Sequence, residues 1–251
     1  MLALVTGASS GIGRDIAREL AKKGYDLIIV ARTKENLDKV KEELSNVKVI
    51  VIPTDLSKEE NCKALYEKVK DMNIDLLVNN AGFGVYGNFF ETNLDRELEM
   101  IKVNDVAYHI LTKLFLKDFV KRDKGQILNV CSSAAFYTGP RMATYYSTKN
   151  YIYCLTVSIY EELRKAKSNV KISALCPGPV DTNFNNVANV KFAAKPLSSE
   201  YVAKVAIKGL EKNKMLIIPG FSMRLNKFLC RFISEKMLLK IAYKAQSRKS
   251  K

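Results

Sequence analysis

Short apolar runs alternate with longer segments of mixed polarity along the chain. Seven of these runs are rich in Val, Ile and Leu and are apolar at nearly every position, which is typical of parallel strands covered on both faces. They are residues 2–6, 26–31, 47–52, 75–79, 126–131, 170–176 and 215–219. The pattern therefore predicts seven strands in one parallel sheet.

The segments between the runs place apolar residues at helical spacing, and they predict helices on both faces of the sheet. Strands that alternate with such helices form a doubly wound α/β sheet, the Rossmann fold, through right-handed crossovers. Ser57 precedes one segment as a candidate N-cap. The predicted helices cover residues 13–23, 34–45, 58–71, 95–120, 144–166 and 199–213. We predict one dinucleotide-binding and catalytic domain over residues 1–220.

Length and composition exclude several other classes of protein. A chain of 251 residues, 47% of them apolar, has the size of one large α/β domain. Its five cysteines form no CxxC pair and its single histidine is His109, so the sequence predicts neither a metal site nor a disulfide framework. The N-terminal MLALVTG has no basic region and no long apolar region, so we expect a cytoplasmic protein without a signal peptide.

Positive charge is concentrated at the C-terminus. The chain has a net charge of +15, and residues 221–251 hold nine Lys and Arg against one acid, a net of +8. Apolar residues recur between the basic ones, which predicts a basic amphipathic helix. Three interpretations stay open: packing on its own domain or a partner subunit, peripheral contact with a membrane surface, and nucleic-acid binding. We favour packing, and no accompanying motif supports nucleic-acid binding.

A glycine-rich turn joins the first predicted strand to the first predicted helix. The sequence TGASSGIG contains Gly7, Gly11 and Gly13, with Ser9 and Ser10 as hydroxyl donors. Glycines at this spacing permit the turn, let the backbone approach a pyrophosphate and let the helix pack close to the sheet, while the helix N-terminus attracts phosphate. In its strand–turn–helix context, the pattern predicts a dinucleotide site.

The end of the second predicted strand distinguishes the two nicotinamide dinucleotides. NAD sites usually carry an acid there, but this chain has Ala31 followed by Arg32. A guanidinium pairs with a 2′-phosphate, so we predict NADP(H), with Arg14 as a second candidate for this contact. The alternative is that both are ordinary surface arginines. Asp55 is a candidate acceptor for the adenine amino group, or a charge at a helix N-terminus.

Two adjacent tyrosines precede a lysine in the sequence ATYYSTKNY, residues 143–151. Tyr145 lies four residues before Lys149 and Tyr146 lies three before it, so both pairs share a helix face. Helical geometry alone leaves open which phenol acts. An ammonium about 4 Å away would lower the pKa of a phenol from about 10 toward neutrality, where general acid–base catalysis is most effective.

Several motifs occur in the order and with the separations of the short-chain dehydrogenase/reductase family, which the chain resembles over residues 1–220. They are TGASSGIG, NNAG at 79–82, a Ser…Tyr-x-x-x-Lys set and PG at 177–178. The stretch ARTKENL and the basic tail are similar to a branch with uncharacterised bacterial oxidoreductases and some acyl and steroid reductases. The resemblance implies a Rossmann fold and hydride transfer between a nicotinamide dinucleotide and a carbonyl or alcohol.

The resemblance also selects one of the two tyrosines. The family's serine lies thirteen residues before its tyrosine, and its lysine lies four residues after it. Ser132, Tyr145 and Lys149 meet both separations, whereas Ser133 would select Tyr146 and leave the lysine one residue too close. Tyr146 is then expected to face the subunit surface or neighbouring helices.

The resemblance implies a role for each of these groups. Ser132 would hold the substrate oxygen, Tyr145 would protonate it, and Lys149 would hold the nicotinamide ribose. Asn104 matches the asparagine that anchors a water between lysine and solvent; the alternative is a polar residue that distorts its helix. The residues expected to bind the cofactor are Gly7, Ser9, Ser10, Gly11, Ile12, Gly13, Arg32, Asp55, Leu56, Asn79, Ala81, Gly82, Lys149, Pro177, Gly178, Val180 and Thr182.

Within that set, residues 79–82 are expected at the adenosine ribose and residues 177–182 at the nicotinamide carboxamide. Residues 183–198 follow as the loop expected to close over a substrate. Aromatic and methionine side chains are candidates for an apolar pocket wall, which favours a hydrophobic substrate. They are Phe83, Phe136, Tyr137, Met142 and Phe184.

The predicted function is NADP(H)-dependent reduction of a carbonyl group, of ketone, aldehyde or 3-oxoacyl type, to an alcohol. The partner is a small-molecule carbonyl or alcohol substrate, and we expect a homodimer or homotetramer. The alternative is a non-catalytic NADP-binding regulator that keeps the fold, because a fold does not guarantee a function. The complete set of Ser132, Tyr145, Lys149 and Asn104 argues against that alternative.

Overall fold

A seven-stranded parallel sheet forms the centre of the protein in the computed structural model, which describes residues 1–184, 188 and 196–247. The strands are β1 Leu2–Thr6, β2 Asp26–Ala31, β3 Val49–Pro53, β4 Leu76–Asn79, β5 Gln126–Val130, β6 Lys171–Leu175, β7 Val180–Asp181, β8 Leu197–Ser198 and β9 Leu216–Ile217. The sheet order is β3-β2-β1-β4-β5-β6-β9, and β7 pairs separately with β8. The predicted doubly wound sheet is confirmed.

Helices cover both faces of this sheet. They are α1 Gly11–Lys22, α2 Lys34–Glu43, α3 Glu59–Val69, α4 Leu94–Ile101, α5 Ala107–Lys121, α6 Ala143–Lys165, α7 Ser199–Glu211, α8 Phe221–Leu229 and α9 Glu235–Ser247. The predicted helix over 95–120 is divided into α4 and α5 by a π-helical turn, Lys102–Val106. The predicted tail helix is two helices, α8 and α9. Among the helices of the described residues, none is both long and apolar enough to cross a bilayer.

One predicted cap is wrong. Helix α3 begins after Lys58, which makes no side-chain capping bond. Ser57 instead uses its amide and hydroxyl groups to donate to Asp55 Oδ1, at 3.1 and 2.9 Å. The serine therefore closes an Asx-type turn after β3.

Two apolar layers cover the two faces of the sheet, and alternate strand residues belong to different layers. Val5 of β1 packs in the layer that contains α1, α2 and α7, with Leu20 and Val202. Leu4, one residue earlier, packs in the layer that contains α3 and α5, with Phe115. Burial on both faces explains why the strands read as continuous apolar runs. The strand order reverses between β1 and β4, and a ligand crevice is expected at the carboxyl ends of the strands there.

Candidate active site

A cleft opens at the carboxyl ends of the central strands. Its volume is about 510 Å³, within the range of about 300–1,000 Å³ that is usual for small-molecule sites. Its walls come from the segments that follow β1, β2, β4, β5 and β6, together with one face of α6. The sheet topology thus brings together side chains from residue 7 to residue 184.

The turn after β1 forms a cradle that side chains would fill. Gly7 has φ +64°, and a Cβ there would lie 2.8 Å from Ala81 Cα. Gly11 has φ +55° and begins α1, whose N-cap Ser10 makes no side-chain capping bond. The first amides of α1 therefore face the cleft beside Ser9. This cradle at a helix N-terminus fits the pyrophosphate of a dinucleotide.

Gly13 does not line the cleft, although it was predicted among the cofactor residues. It is buried, and a Cβ there would lie 2.4 Å from Gly7 O and 2.3 Å from Asn80 Nδ2. Its place matches the other reason for a glycine in this turn, which is close packing of the helix on the strand.

The far end of the cleft carries Arg32, Asp55 and Leu56. Arg32 is exposed, and its Nη1 lies 3.3 Å from Glu99 Oε1. Burial opposes ionisation of Asp55, but hydrogen bonds from Ser57 and the charge of Arg32 outweigh it and lower the pKa of this carboxyl. Asp55 is thus an anionic acceptor at neutral pH. Arg14 is paired with Asp15 and lies outside the cleft wall, so it gives no support as a second phosphate ligand.

Asn79, one of the predicted cofactor residues, lies outside the cleft wall. Its side chain is buried behind the site, where Nδ2 donates to Thr112 Oγ1 and Asn129 Oδ1. Asn80, which was not predicted, lines the cleft, with Nδ2 donating to Thr6 O and Gly7 O. Asn79 ends β4 and Asn80 follows it, and consecutive residues of an extended chain point to opposite sides. Ala81 and Gly82 lie at the cleft as predicted.

Sequence reasoning also missed polar cleft residues beside the adenosine end. Thr33, Asn36 and Thr54 line this part of the cleft. They belong to no motif, and their position after β2 and β3 was the one available signal.

Ser132, Tyr145 and Lys149 meet on one wall of the cleft. Ser132 follows β5 and accepts a hydrogen bond from Ala134 N at 3.1 Å, so its hydroxyl proton stays free to be donated. The Ser132 side chain lies near enough to the Tyr145 phenol to lower the pKa of that phenol. Lys149 is buried, with Nζ donating to Val130 O at 3.2 Å and lying 5.9 Å from the centroid of the Tyr145 ring.

The charges of this group differ from the prediction. Burial raises the pKa of the Tyr145 phenol, and the neighbouring Ser132 hydroxyl lowers it by less. Burial also lowers the pKa of the Lys149 ammonium. The expectation that Lys149 brings Tyr145 near neutrality is therefore wrong for this structure, because desolvation disfavours both charged forms. Tyr145 holds its proton at neutral pH.

Asn104 is fully buried beneath the cleft floor, at the π-helical turn between α4 and α5. Its Oδ1 accepts from Phe83 N at 3.1 Å, and its Nδ2 donates to Phe83 O and to Thr148 Oγ1 at 3.0 Å. Thr148 Oγ1 in turn donates to Tyr145 O. The side-chain amide of Asn104 therefore ties the loop after β4 to helix α6. The alternative interpretation of Asn104, a polar residue that distorts its helix, describes the same geometry, because Asn104 lies in the π-helical turn.

Asp105 is a residue that sequence reasoning missed. Its Oδ1 is buried and makes no hydrogen bond to the described residues. Burial raises the pKa of this carboxyl to about 7, while Lys149 works in the opposite direction. It adjoins Asn104 in the sequence, and no motif distinguishes it from a surface acid.

Tyr146 contacts a neighbouring helix, one of the two places predicted for it, and its ring also lines the cleft. Its hydroxyl accepts from Gln246 Nε2 at 2.6 Å, and a Cβ at Gly139 would lie 2.3 Å from its ring. Tyr146 is thus fixed by the end of α9. Both phenols border the cleft, but Ser132 lowers the pKa of Tyr145 and not that of Tyr146.

The predicted apolar wall is correct in part. Phe83, Met142 and Phe184 line the cleft, and the Phe184 and Tyr145 ring centroids are 5.3 Å apart. Phe136 and Tyr137 lie outside the wall and face helix α8. Residues 177, 178, 180 and 182 lie at the cleft. Of the predicted substrate loop, residues 185–187 and 189–195 lie outside the described residues.

The chain is similar in sequence to known oxidoreductases. The short chain dehydrogenase family model matches residues 1–191. Hydroxysteroid dehydrogenase-like protein 1 of Gallus gallus is 33% identical over 230 residues, which is 87% of this chain and 67% of that protein. Very-long-chain 3-oxoacyl-CoA reductase of Mycosarcoma maydis is 32% identical over 219 residues, which is 84% of this chain and 61% of that protein. The match thus spans less than two thirds of the fungal enzyme.

Solved structures share the fold over nearly the whole chain. A short-chain dehydrogenase from Sphingobium yanoikuyae in complex with NADPH has a TM-score of 0.84 and 27% identity, covering 90% of this chain and 91% of that one. A short chain dehydrogenase/reductase from Burkholderia phymatum in complex with NAD has a TM-score of 0.83, 24% identity and coverage of 91% and 92%. The first of these structures holds NADPH and the second holds NAD. The chain belongs to the short-chain dehydrogenase/reductase family of oxidoreductases.

Proposed function

We propose that the protein is an NADP(H)-dependent reductase of hydrophobic carbonyl compounds. The observation that carries this proposal is that Ser132, Tyr145 and Lys149 share one wall of the cleft that also holds the glycine cradle. A proton donor and an anion cradle in one crevice meet the needs of a reaction that adds hydride and a proton to a carbonyl group.

The dinucleotide fits the cleft by its charges and shape. The turn over residues 7–12 would hold the pyrophosphate, and Lys149 would hold the nicotinamide ribose. Arg32 supports the choice of NADP(H), because it is exposed at the adenosine end and no acid precedes it. The bound cofactor supplies the hydride.

The residues of the chain would manage the oxygen and the proton. Ser132, whose hydroxyl proton is free, donates to the carbonyl oxygen. Tyr145 then transfers its proton to the same oxygen as negative charge develops there. A phenol whose pKa is raised holds this proton until negative charge develops on the substrate oxygen.

The substrate class is inferred from the cleft wall. Phe83, Met142 and Phe184 present apolar surface beside Tyr145. One curated relative is a very-long-chain 3-oxoacyl-CoA reductase and another is a hydroxysteroid dehydrogenase-like protein. We therefore expect a 3-oxoacyl compound or a bulky ketone rather than a sugar.

A turnover screen tests this proposal. Purified protein is mixed with NADPH or NADH and a panel of 3-oxoacyl thioesters, steroid ketones, short ketones and ketoses, and the loss of absorbance of the reduced cofactor is followed. We expect turnover with NADPH and the hydrophobic ketones. If NADPH binds, as measured by fluorescence, while no carbonyl compound is reduced, the chain is a cofactor-binding regulator. Tighter binding of NADH would overturn the role of Arg32.

A further inference from the structure

Helix α8 turns its apolar stripe away from the protein. Apart from Met223, its apolar residues recur at the spacing of one helix face and are exposed. Phe221 is 73% exposed and Phe228 is 55% exposed, and Phe232, in the turn that follows, is 74% exposed. Leu225 and Leu229 complete the stripe. Exposed apolar surface of this extent marks an interaction site rather than a core face.

Helix α9 adds a row of positive charge. Lys236, Lys240 and Lys244 recur every four residues and are exposed, and Met237 and Ile241 are exposed beside them. Glu235 is the single acid in residues 221–251. The exposed residues of α8 and α9, together called their outward surface, are therefore both apolar and strongly basic.

Other residues of the two helices attach them to the body of the protein. On α8, Met223 contacts Gly178, and Lys227 Nζ lies 4.5 Å from the centroid of the Phe136 ring. On α9, Gln246 O accepts from Tyr86 Oη at 2.9 Å. Gln246 is the only buried residue within 221–247, all of which are described.

We propose that the outward surface of α8 and α9 docks on an anionic lipid bilayer. Aromatic and aliphatic side chains in one stripe can enter the boundary between headgroups and acyl chains, while lysines contact anionic headgroups. A second copy of the same surface is a poorer occupant, because residues 221–251 carry a net charge of +8 and two such surfaces repel each other. Charge complementarity therefore selects the bilayer.

Vesicle flotation with the full chain tests the docking. Vesicles of phosphatidylcholine alone are compared with vesicles that contain about one third phosphatidylserine. We expect binding to the anionic vesicles, little binding to the neutral ones, and weakening as salt rises, because salt screens the attraction. No binding of the wild type to the anionic vesicles would overturn the proposal.

Two sets of substitutions test which residues of α8 and α9 contact the bilayer. The double variant Phe228→Ser, Phe232→Ser removes apolar contacts, and the triple variant Lys236→Gln, Lys240→Gln, Lys244→Gln removes charge. We expect each to weaken partitioning, the triple variant by roughly a hundredfold, since each basic residue near the surface contributes about a fivefold factor. Near-ultraviolet circular dichroism checks that both variants keep the wild-type fold.

The matched control removes two other exposed phenylalanines. Phe89 and Phe90 are 66% and 85% exposed but lie in a segment with acidic neighbours, so Phe89→Ser, Phe90→Ser should leave partitioning unchanged. An equal loss in this control would contradict the assigned surface. Light scattering after gel filtration measures the oligomeric state. If the wild type is a dimer and Phe228→Ser, Phe232→Ser is a monomer, a second copy covers the surface and the proposal is wrong.

Discussion

The cleft and the C-terminal helix pair depart from the usual distribution of polarity in opposite directions. Beneath the cleft, polar side chains are buried, including Asn79, Asn104 and Lys149. On α8 and its following turn, Phe228 and Phe232 are more than half exposed. Buried polar groups and exposed apolar patches are the informative departures, because most proteins avoid both unless something compensates them.

The compensation differs between the two regions. In the cleft floor, the side chain of Asn104 makes three internal hydrogen bonds, so the fold itself offsets the cost of burial. On the helix pair, nothing in the described residues covers the apolar stripe. The cleft should therefore depend on its polar contacts for stability, and the helix pair should not depend on its phenylalanines.

The largest expected effect on stability comes from Asn104→Ala. This change leaves the amide and carbonyl of Phe83 and the hydroxyl of Thr148 without their partner, at a cost of roughly 1–3 kcal/mol for each buried group that finds no other. Urea denaturation should show a clear fall in the free energy of unfolding. Asn36→Ala, at the open adenosine end, is the control and should change it little. A loss below about 0.5 kcal/mol for Asn104→Ala would contradict the inference that the cleft depends on its polar contacts for stability.

Arg32→Glu should change cofactor choice without changing the fold. A carboxylate there repels a 2′-phosphate and can accept from a ribose diol, so we expect the ratio of NADPH to NADH affinity to fall by about tenfold or more, which is about 1.4 kcal/mol. Titration of both dinucleotides by fluorescence measures the ratio. Glu99→Gln, which removes the charge that pairs with Arg32 and Arg96 but keeps Arg32 itself, serves as the control. An unchanged ratio for Arg32→Glu would place the discrimination elsewhere.

A smaller, pH-dependent effect is expected from Asp105→Asn. Burial raises the pKa of Asp105 to about 7 in the folded protein, above the value of about 3.9 for an unfolded chain. Between these two pKa values the folded protein binds one more proton at this site than the unfolded chain does. The free energy of unfolding of the wild type therefore falls as pH rises from about 4 to about 7. Asparagine does not titrate, and the variant should gain in melting temperature relative to wild type over that range. A constant difference would contradict the raised pKa.

The smallest expected effect belongs to the helix pair. Phe228→Ser, Phe232→Ser should change the free energy of unfolding by no more than about 0.5 kcal/mol per site, because exposed side chains contribute little to stability. Ile207→Ala is the core comparison, since α7 buries Ile207, and large-to-small core changes of this kind cost about 2–5 kcal/mol. Equal losses for the two variants in urea denaturation would show that the stripe of α8 is part of a core.

Sequence patterns predicted the sheet and much of the cleft for physical reasons. Strands buried on both faces leave continuous apolar runs, and a dinucleotide cradle needs glycine where φ is positive, as at Gly7 and Gly11. The serine–tyrosine separation located Ser132 and Tyr145 on one wall. These features are local in the sequence or fixed by the order of the strands.

The features that the sequence did not predict depend on tertiary contacts. Which of Asn79 and Asn80 lines the cleft depends on the side to which each residue points, and the cleft position of Tyr146 depends on Gln246, a hundred residues away. The pKa of Tyr145 depends on burial, which the spacing of Tyr145 and Lys149 does not contain. The direction in which the apolar stripe of α8 points could not be predicted from the sequence either. A periodic pattern defines a helix face but not what that face contacts.

The central claim is that Tyr145, and not its neighbour, gives the proton. The most direct test measures how fast Tyr145→Phe and Tyr146→Phe consume NADPH with a ketone that the wild type reduces. Cofactor affinity is measured in parallel. Loss of a general acid should cost about 10²–10⁴ in kcat. The account predicts this loss for Tyr145→Phe with NADPH binding retained, and a change of less than about tenfold for Tyr146→Phe. Comparable losses in both variants, or a larger loss for Tyr146→Phe, would contradict it.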